Sequence, residues 1–531
     1  MSDQPQKVAS EKAELVFGLV YGVGTDADRV VRVLEDYIKQ FNYAPRSFRV
    51  SEYLRSLDLG LEFDDSSAYD FARALMDAGD EARERAESDD ILAVSAINDI
   101  LGSRKRDEQQ EPIASFDVAH IVRSLKRPEE VALLRRVYRP GFYLIGIAAD
   151  DDEQGDYLVG RKGLTAKDAR HLIERDQNDQ KTHGQRTRDT FYLSDVFVEL
   201  RESRYEAQLG RFLELVFGRP FVTPTREEHA MFMAYASAAR SAQLARQVGA
   251  AIATPEGEVI AVGCNEVPSK HGGPYWDGDK DDHRDHEEDK DSNYESRAKI
   301  VDSVIQQLNG KILEEIRAEE VVRATLKKVV SEDSNVETLV AGILAEFKER
   351  QLVTTTDQVR GLVDASDLRE ISEYGRAVHA EMDAILNCAR LGMSTKGKFL
   401  FTTTFPCHNC TRHIITSGIK KVVYIEPYPK SKAKDLHSDA ICFDERQAEK
   451  SGKIPFVPFV GLGPRRYLDL MSLQLTTGIP PERRDKDGKP IHWERRSHKG
   501  PRVPMEPYSY LEREEKALDE NKAKLQELTE S

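Results

Sequence analysis

Cysteine is scarce. The chain holds five in 531 residues: Cys264, Cys388, Cys407, Cys410 and Cys442. So few over such a length exclude a disulfide scaffold. Only Cys407 and Cys410 stand close enough in sequence to share an ion. Long apolar runs are missing too. With no stretch of about 18 apolar residues, no helix is expected to cross a membrane. The first residues, MSDQPQKVASEKAE, are polar and lack the apolar core of a signal peptide, so a cytoplasmic location is expected. Basic charge is in deficit: Lys and Arg number 77 against 93 Asp and Glu, a net charge of −16. A stable duplex nucleic-acid partner would need a dominant basic face, and none is visible. A small anion can still bind in a local pocket, because a few residues set a pocket.

What is present fits a soluble globular protein, 39% apolar and 32% charged. The length suits two or three domains. Residues 14–20 (ELVFGLV) have strand character and run into a glycine turn, Gly22-Val23-Gly24-Thr25. Val30, Leu34, Tyr37 and Phe41 then recur at helical spacing. Strand, glycine turn and helix open an α/β nucleotide-binding domain. Further strands are expected at 142–148 (FYLIGIA) and 190–199 (TFYLSDVFVE), and a boundary near 219–226, where two prolines interrupt the pattern. Beyond it, 249–254 and 258–263 read as a hairpin through Pro255-Glu256-Gly257. An insertion over 274–373 opens with an acidic loop and continues as helices near 296–328 and 336–351. Then come a helix at 380–391, a strand at 398–404, a helix at 408–417 and a strand at 421–426. The expected division is 1–220, an α/β domain; 221–475, an α/β/α domain carrying the insertion; and 476–531, a charged helical or frayed tail.

The chemistry concentrates in His379-Ala380-Glu381 and Pro406-Cys407-His408-Asn409-Cys410. Zinc takes thiolate and imidazole in a tetrahedron, and two cysteines three apart at a helix start can reach one ion. Helix dipoles would stabilise the thiolates. Three protein ligands, His379, Cys407 and Cys410, leave a fourth corner for water, whose pKa then falls from about 15.7 to about 7. Glu381, two residues past the histidine, is placed to move protons without ligating. Two other readings stand beside this one: a structural zinc finger with His413 as fourth ligand, and a site with no metal.

An H-x-E segment followed by P-C-x-x-C resembles the zinc nucleobase deaminases. With Arg246-Gln247-Val248-Gly249-Ala250 and Gly263-Cys264-Asn265-Glu266-Val267-Pro268, the likeness narrows to the deoxycytidylate deaminase family, over about 227–275 and 374–470. The resemblance implies that Asn265 bonds the deoxyribose, that the Ala380 backbone meets the base edge and that Tyr428 lies near sugar and base. It implies Zn2+ as cofactor, deoxycytidine nucleotides as substrate and a homo-oligomer. Arg246 and Lys430 are candidates for phosphate contacts. Phe405 stands where many cytidine deaminases carry glutamate. With a kinase-like N-terminal domain and LGPRRY at 462–467, the whole is similar to bacterial anti-phage deoxycytidine nucleotide deaminases, which convert dCTP or dCMP to the uracil nucleotide.

Gly22, Gly24 and Thr25 resemble a nucleotide kinase phosphate loop, whose backbone N–H groups could cradle phosphates. The Gly-Lys-Ser/Thr ending is absent and Asp26-Ala27-Asp28-Arg29 follows instead, so a degenerate domain binding a regulatory nucleotide is expected rather than phosphoryl transfer. A purely structural domain is the alternative. Arg161, Lys162, Arg175 and Arg188 are candidates for a basic lid. His283 and His286, within HRDHEED, could hold a second metal or belong to a solvated loop. Three functions are therefore weighed: deamination of free deoxycytidine nucleotides, deamination of tRNA or single-stranded DNA, and nucleotide sensing around a structural zinc.

Overall fold

A computed structural model describes residues 13–303 and 375–529, except 65, 150, 178, 180, 201–203, 297, 301, 427–430, 474–478 and 499. Most of the expected insertion, including both helical segments beyond residue 303, lies outside the described residues.

The fold is α/β, with two six-stranded sheets. The first contains β1 (Leu15–Tyr21), β2 (Ala44–Arg49), β3 (Val118–Arg123), β4 (Phe142–Ala148) and β5 (Val196–Glu199). These pair in parallel in the order β5-β4-β1-β3-β2. β1 and β4 read as near-continuous apolar runs, and β3 is buried throughout despite His120 and Arg123, because helices cover both faces of the sheet. The helix Ala27–Gln40 follows β1 and buries Val30, Val31, Leu34 and Ile38.

The second sheet contains β6 (Gly249–Ala253), β7 (Val259–Cys264), β8 (Phe399–Thr404), β9 (Lys421–Glu426), β10 (Ile441–Cys442) and β11 (Ile454–Pro458), in the order β10-β11-β9-β8-β6-β7. β6 and β7 form the expected antiparallel hairpin, and β8, β9, β11 and β10 run parallel. Gly249 lets the helix Arg226–Ala238 press onto β6: a Cβ there would sit 1.9 Å from the Ala234 carbonyl oxygen.

Two expectations change. Residues 190–199 are not one strand. Thr187–Tyr192 is a short helix, in which the Thr190 hydroxyl donates back to the Arg186 carbonyl, and β5 begins only at Val196. The closing segment is not a free tail either. After β11 the chain returns to the first sheet, where β12 (Gly461–Leu462) pairs antiparallel with β5. The helices Pro507–Glu520 and Lys522–Thr529 then pack Tyr510, Leu511, Ala517 and Leu528 into the N-terminal core. Part of the segment's charge is buried. The Arg104 guanidinium bridges Glu14 and Glu514, both at 2.7 Å, and Tyr510 donates to Glu14 at 2.7 Å. Each carboxylate is compensated where water is excluded, which is the condition for keeping charge in a core. The two units are also tied together at Glu228, which accepts both arms of Arg211 and the Leu462 N–H.

Candidate functional site

Two helices deliver the candidate ligands. His379 is the N-cap of the helix Ala380–Arg390, and Cys407 is the N-cap of the helix His408–Thr416. The Cys407 sulfur accepts the Cys410 N–H, so the thiolate doubles as a capping group. Gly263 on β7 sets how closely the first helix approaches: a Cβ would lie 2.3 Å from the Ala380 carbonyl oxygen and 2.4 Å from the Ala384 nitrogen. Gly263→Val is therefore expected to lower unfolding stability by roughly 3 kcal/mol, because backbone cannot give way as a side-chain tip can. Thermal unfolding with metal content measured on the same sample checks this; an unchanged melting temperature would contradict the contact.

The His379 Nδ1 lies 3.4 Å from both the Cys407 and the Cys410 sulfur, and the three ligand atoms all lie within 4.8 Å of one another. Tetrahedral zinc with ordinary bond lengths separates an imidazole nitrogen from a thiolate sulfur by roughly 3.6 Å. Donor type and spacing thus fit zinc. Among the described residues His413 does not join this group, which removes the support for a four-ligand structural site. Hydrogen bonding from Cys410 and the neighbouring His379 hold the Cys407 thiol down to about 4, despite its burial. Burial pushes Cys410 well above the usual thiol range. The Cys407 thiolate raises His379.

Glu381 is 4% exposed, and its Oε2 accepts from the Cys410 sulfur at 3.3 Å. Burial first, and the Cys407 charge second, raise its carboxyl above the usual range. A carboxyl raised in this way sits closer to neutrality and can hold or release a proton, as general acid–base chemistry requires.

Residues 224–426 match the family described as the cytidine and deoxycytidylate deaminase zinc-binding region. The match takes in both the His379 and the Cys407–Cys410 segments and leaves the N-terminal unit outside it. The deoxycytidylate deaminase of Enterobacteria phage T4 is 49% identical over 55 residues, 10% of this chain and 28% of that protein. ComE operon protein 2 of Bacillus subtilis is 47% identical over 53 residues, 10% of this chain and 28% of that protein. A probable deoxycytidylate deaminase of Drosophila melanogaster is 37% identical over 105 residues, 18% of this chain and 51% of that protein. The chain thus spans 28% to 51% of the length of these relatives. The solved dCMP deaminase of cyanophage S-TIM5, in complex with dCMP and dUMP, aligns at 15% identity and TM-score 0.21, over 45% of this chain and all of that one. A gluconokinase from Sinorhizobium meliloti aligns at 13% identity and TM-score 0.20, over 38% of this chain and 95% of that one.

Around the His379-Cys407-Cys410 group the other candidates divide. Asn265 spends its carboxamide on backbone: Oδ1 accepts the Val248 N–H at 2.6 Å and Nδ2 donates to the Arg246 carbonyl at 2.8 Å. It shapes the Arg246–Val248 segment at the mouth of the site. Arg246 pairs with Glu426 at 3.4 Å. Ala380 is fully buried in the first turn of its helix. Tyr428 and Lys430 lie outside the described residues. Phe405 is core, edge-on to Tyr424 with ring centres 4.9 Å apart. Asp383, missed in the sequence, is buried and accepts the Cys264 N–H at 3.2 Å, fixing the ligand-bearing helix to β7. Its spacing two residues past Glu381 was the available signal.

Elsewhere, two members of the expected basic lid are engaged by side chains of the N-terminal unit. Arg175 is held by Asp77, Asp80 and Asp179, and Arg188 by Gln177. His283 bonds Glu288, whereas His286 groups with Asp282 and Glu287, so the two histidines do not converge on one ion.

Proposed function

We propose that the chain catalyses hydrolytic deamination of deoxycytidine nucleotides, dCMP or dCTP, to dUMP or dUTP plus ammonia. The observation that carries this reading is a buried carboxyl, Glu381, in contact with a His379-Cys407-Cys410 seat inside a deaminase-family segment. His379, Cys407 and Cys410 would hold zinc, which when bound supplies the Lewis acidity that makes water a usable nucleophile near neutral pH. Glu381 takes a proton from the attacking water and delivers it to the base at N3. It then passes a proton to the departing amino group, so C4–N breaks as C4=O forms and ammonia leaves. Burial keeps bulk water from short-circuiting that transfer. Asn265 orients the Arg246 segment, and Arg246 offers a guanidinium to the substrate phosphate once Glu426 yields it. In a bacterial host, consumption of dCTP would starve phage replication. That role is supported by the resemblance to anti-phage deaminases.

Ammonia release from dCMP, dCTP, cytidine and single-stranded DNA, with metal content measured on the same sample, tests the reading. Turnover of a free deoxynucleotide is expected. Turnover of the polynucleotide alone would transfer the site to nucleic-acid editing. A metal-loaded protein inert on all four would leave a structural zinc.

A further inference from the structure

We propose that the glycine turn after β1 is a polyphosphate site held shut by the chain's own Asp176. In the first sheet β1 lies between β3 and β4. The chain leaves β1 toward β2 and leaves β4 toward β5, in opposite directions, and the crevice at the carboxyl ends of such strands is where α/β sheets take ligands. Gly22, Val23, Gly24 and Thr25 line it. The Val23 N–H, which points to where an anion would rest, donates to Asp176 Oδ2 at 2.9 Å. A lysine does reach the turn, although the sequence motif lacks one. Lys126, just past β3, bonds Asp176 Oδ1 at 2.8 Å and the Tyr21 carbonyl at 2.6 Å. Two guanidiniums stand nearby at the ends of β2 and β3. Arg49 meets Asp28 at 3.1 Å, and Arg123 pairs with the same carboxylate.

A backbone N–H, an ammonium and two guanidiniums are the donor set that binds a chain of phosphates. Here internal carboxylates engage every one of them. Asp176, on the helix Ala166–Gln177, is 1% exposed and supplies the anion the turn is shaped for. Two buried polar atoms at the same place remain unpartnered, the Thr25 hydroxyl and Gln154 Oε1. Gln154 is 6% exposed, and its amide lies so near the turn that a Cβ on Gly22 would be 2.6 Å from Nε2. A buried acceptor without a donor costs free energy, so this packing is satisfied only in part. Asp28 is well exposed, so its pairs with the arginines exchange cheaply. A triphosphate would compete with Asp176 for Val23 and Lys126 and would displace the helix Ala166–Gln177 when it won. By linkage, whatever holds that helix down weakens phosphate binding by the same factor. The inference concerns the N-terminal unit and does not depend on deamination.

The test is calorimetric titration of the full chain with ATP, GTP and inorganic tripolyphosphate, ligands that carry no cytosine. Asp176→Asn removes the charge and keeps an acceptor for Val23. It is expected to bind triphosphate about tenfold more tightly or better, and Lys126→Ala on that background is expected to abolish the gain. Nucleotides binding more tightly than tripolyphosphate would assign the site to a nucleoside triphosphate; equal binding would assign it to phosphate alone. An unchanged affinity in a folded Asp176→Asn variant overturns the proposal. Should that variant not fold, hydrogen exchange on the wild type decides. Millimolar triphosphate is expected to speed exchange over 166–177 and slow it at Val23, and no change in either overturns it.

Discussion

Glu381→Ala is expected to fold, to keep stoichiometric zinc and to lose deamination by a factor of about 10³ or more. The carboxyl caps neither helix and is not one of the three grouped ligands, so removing it leaves the metal seat and the helix start intact. What disappears is a proton carrier at the one place where water is to be deprotonated and the base protonated. Burial sharpens the expectation, because solvent cannot readily take over from a group 4% exposed. Glu381→Gln keeps the volume and separates proton transfer from packing: it should be as inactive as the alanine variant and melt close to the wild type. Single-turnover rates on dCMP and dCTP, with zinc measured on each sample, provide the check. Full activity in either variant would end the proposed chemistry. Lost zinc in Glu381→Gln would instead make the carboxyl a ligand.

The candidate metal seat is legible in the sequence because its geometry is local. His379 and Glu381 share one helix start, Cys407 and Cys410 share another, and a helix N-terminus fixes the relative placement of residues two or three apart. Only the meeting of the two helices needed the fold, and β6 to β9 supply it from a sequence whose hairpin and strands read correctly. The N-terminal turn shows the opposite case. Its strand and helix were visible, but the partners that define its chemistry come from far away: Val23 meets Asp176 across 153 residues, and Lys126 meets Tyr21 across 105. No local pattern encodes such pairs. The closing segment misled for a related reason. Glu514 counts as surface charge in composition, yet it ends buried against Arg104, 410 residues earlier in the chain. Charge reads as solvated until its partner is known, and the partner is a property of the fold. The resemblance makes Asn265 a sugar ligand, and the structure adds that its amide holds the Arg246 and Val248 backbone. A carboxamide that fixes a binding segment and one that touches the ligand look alike in sequence.

Cys407→Ala is expected to lose the zinc altogether, and turnover with it. The donor set has three protein members, and the sulfur removed is the one already held as thiolate at neutral pH, down to about 4. Affinity for structural zinc in thiolate sites runs to about 10–16 kcal/mol, and metal binding there is inseparable from the deprotonated ligand. A second loss accompanies it. The sulfur caps the helix His408–Thr416 by accepting the Cys410 N–H, and deleting a cap costs about 1 kcal/mol. Cys407→Ser separates the two effects. Its hydroxyl restores the cap, so it should melt slightly above Cys407→Ala, but it is a poor substitute for a soft thiolate, so zinc and the stability that comes with it stay absent. Metal analysis beside thermal unfolding of the two variants reads both. Stoichiometric zinc in Cys407→Ala would mean that the ligands are other than His379, Cys407 and Cys410. Vanished zinc with deamination intact would detach the metal from the reaction, leaving Glu381 and the base pocket to account for the chemistry alone.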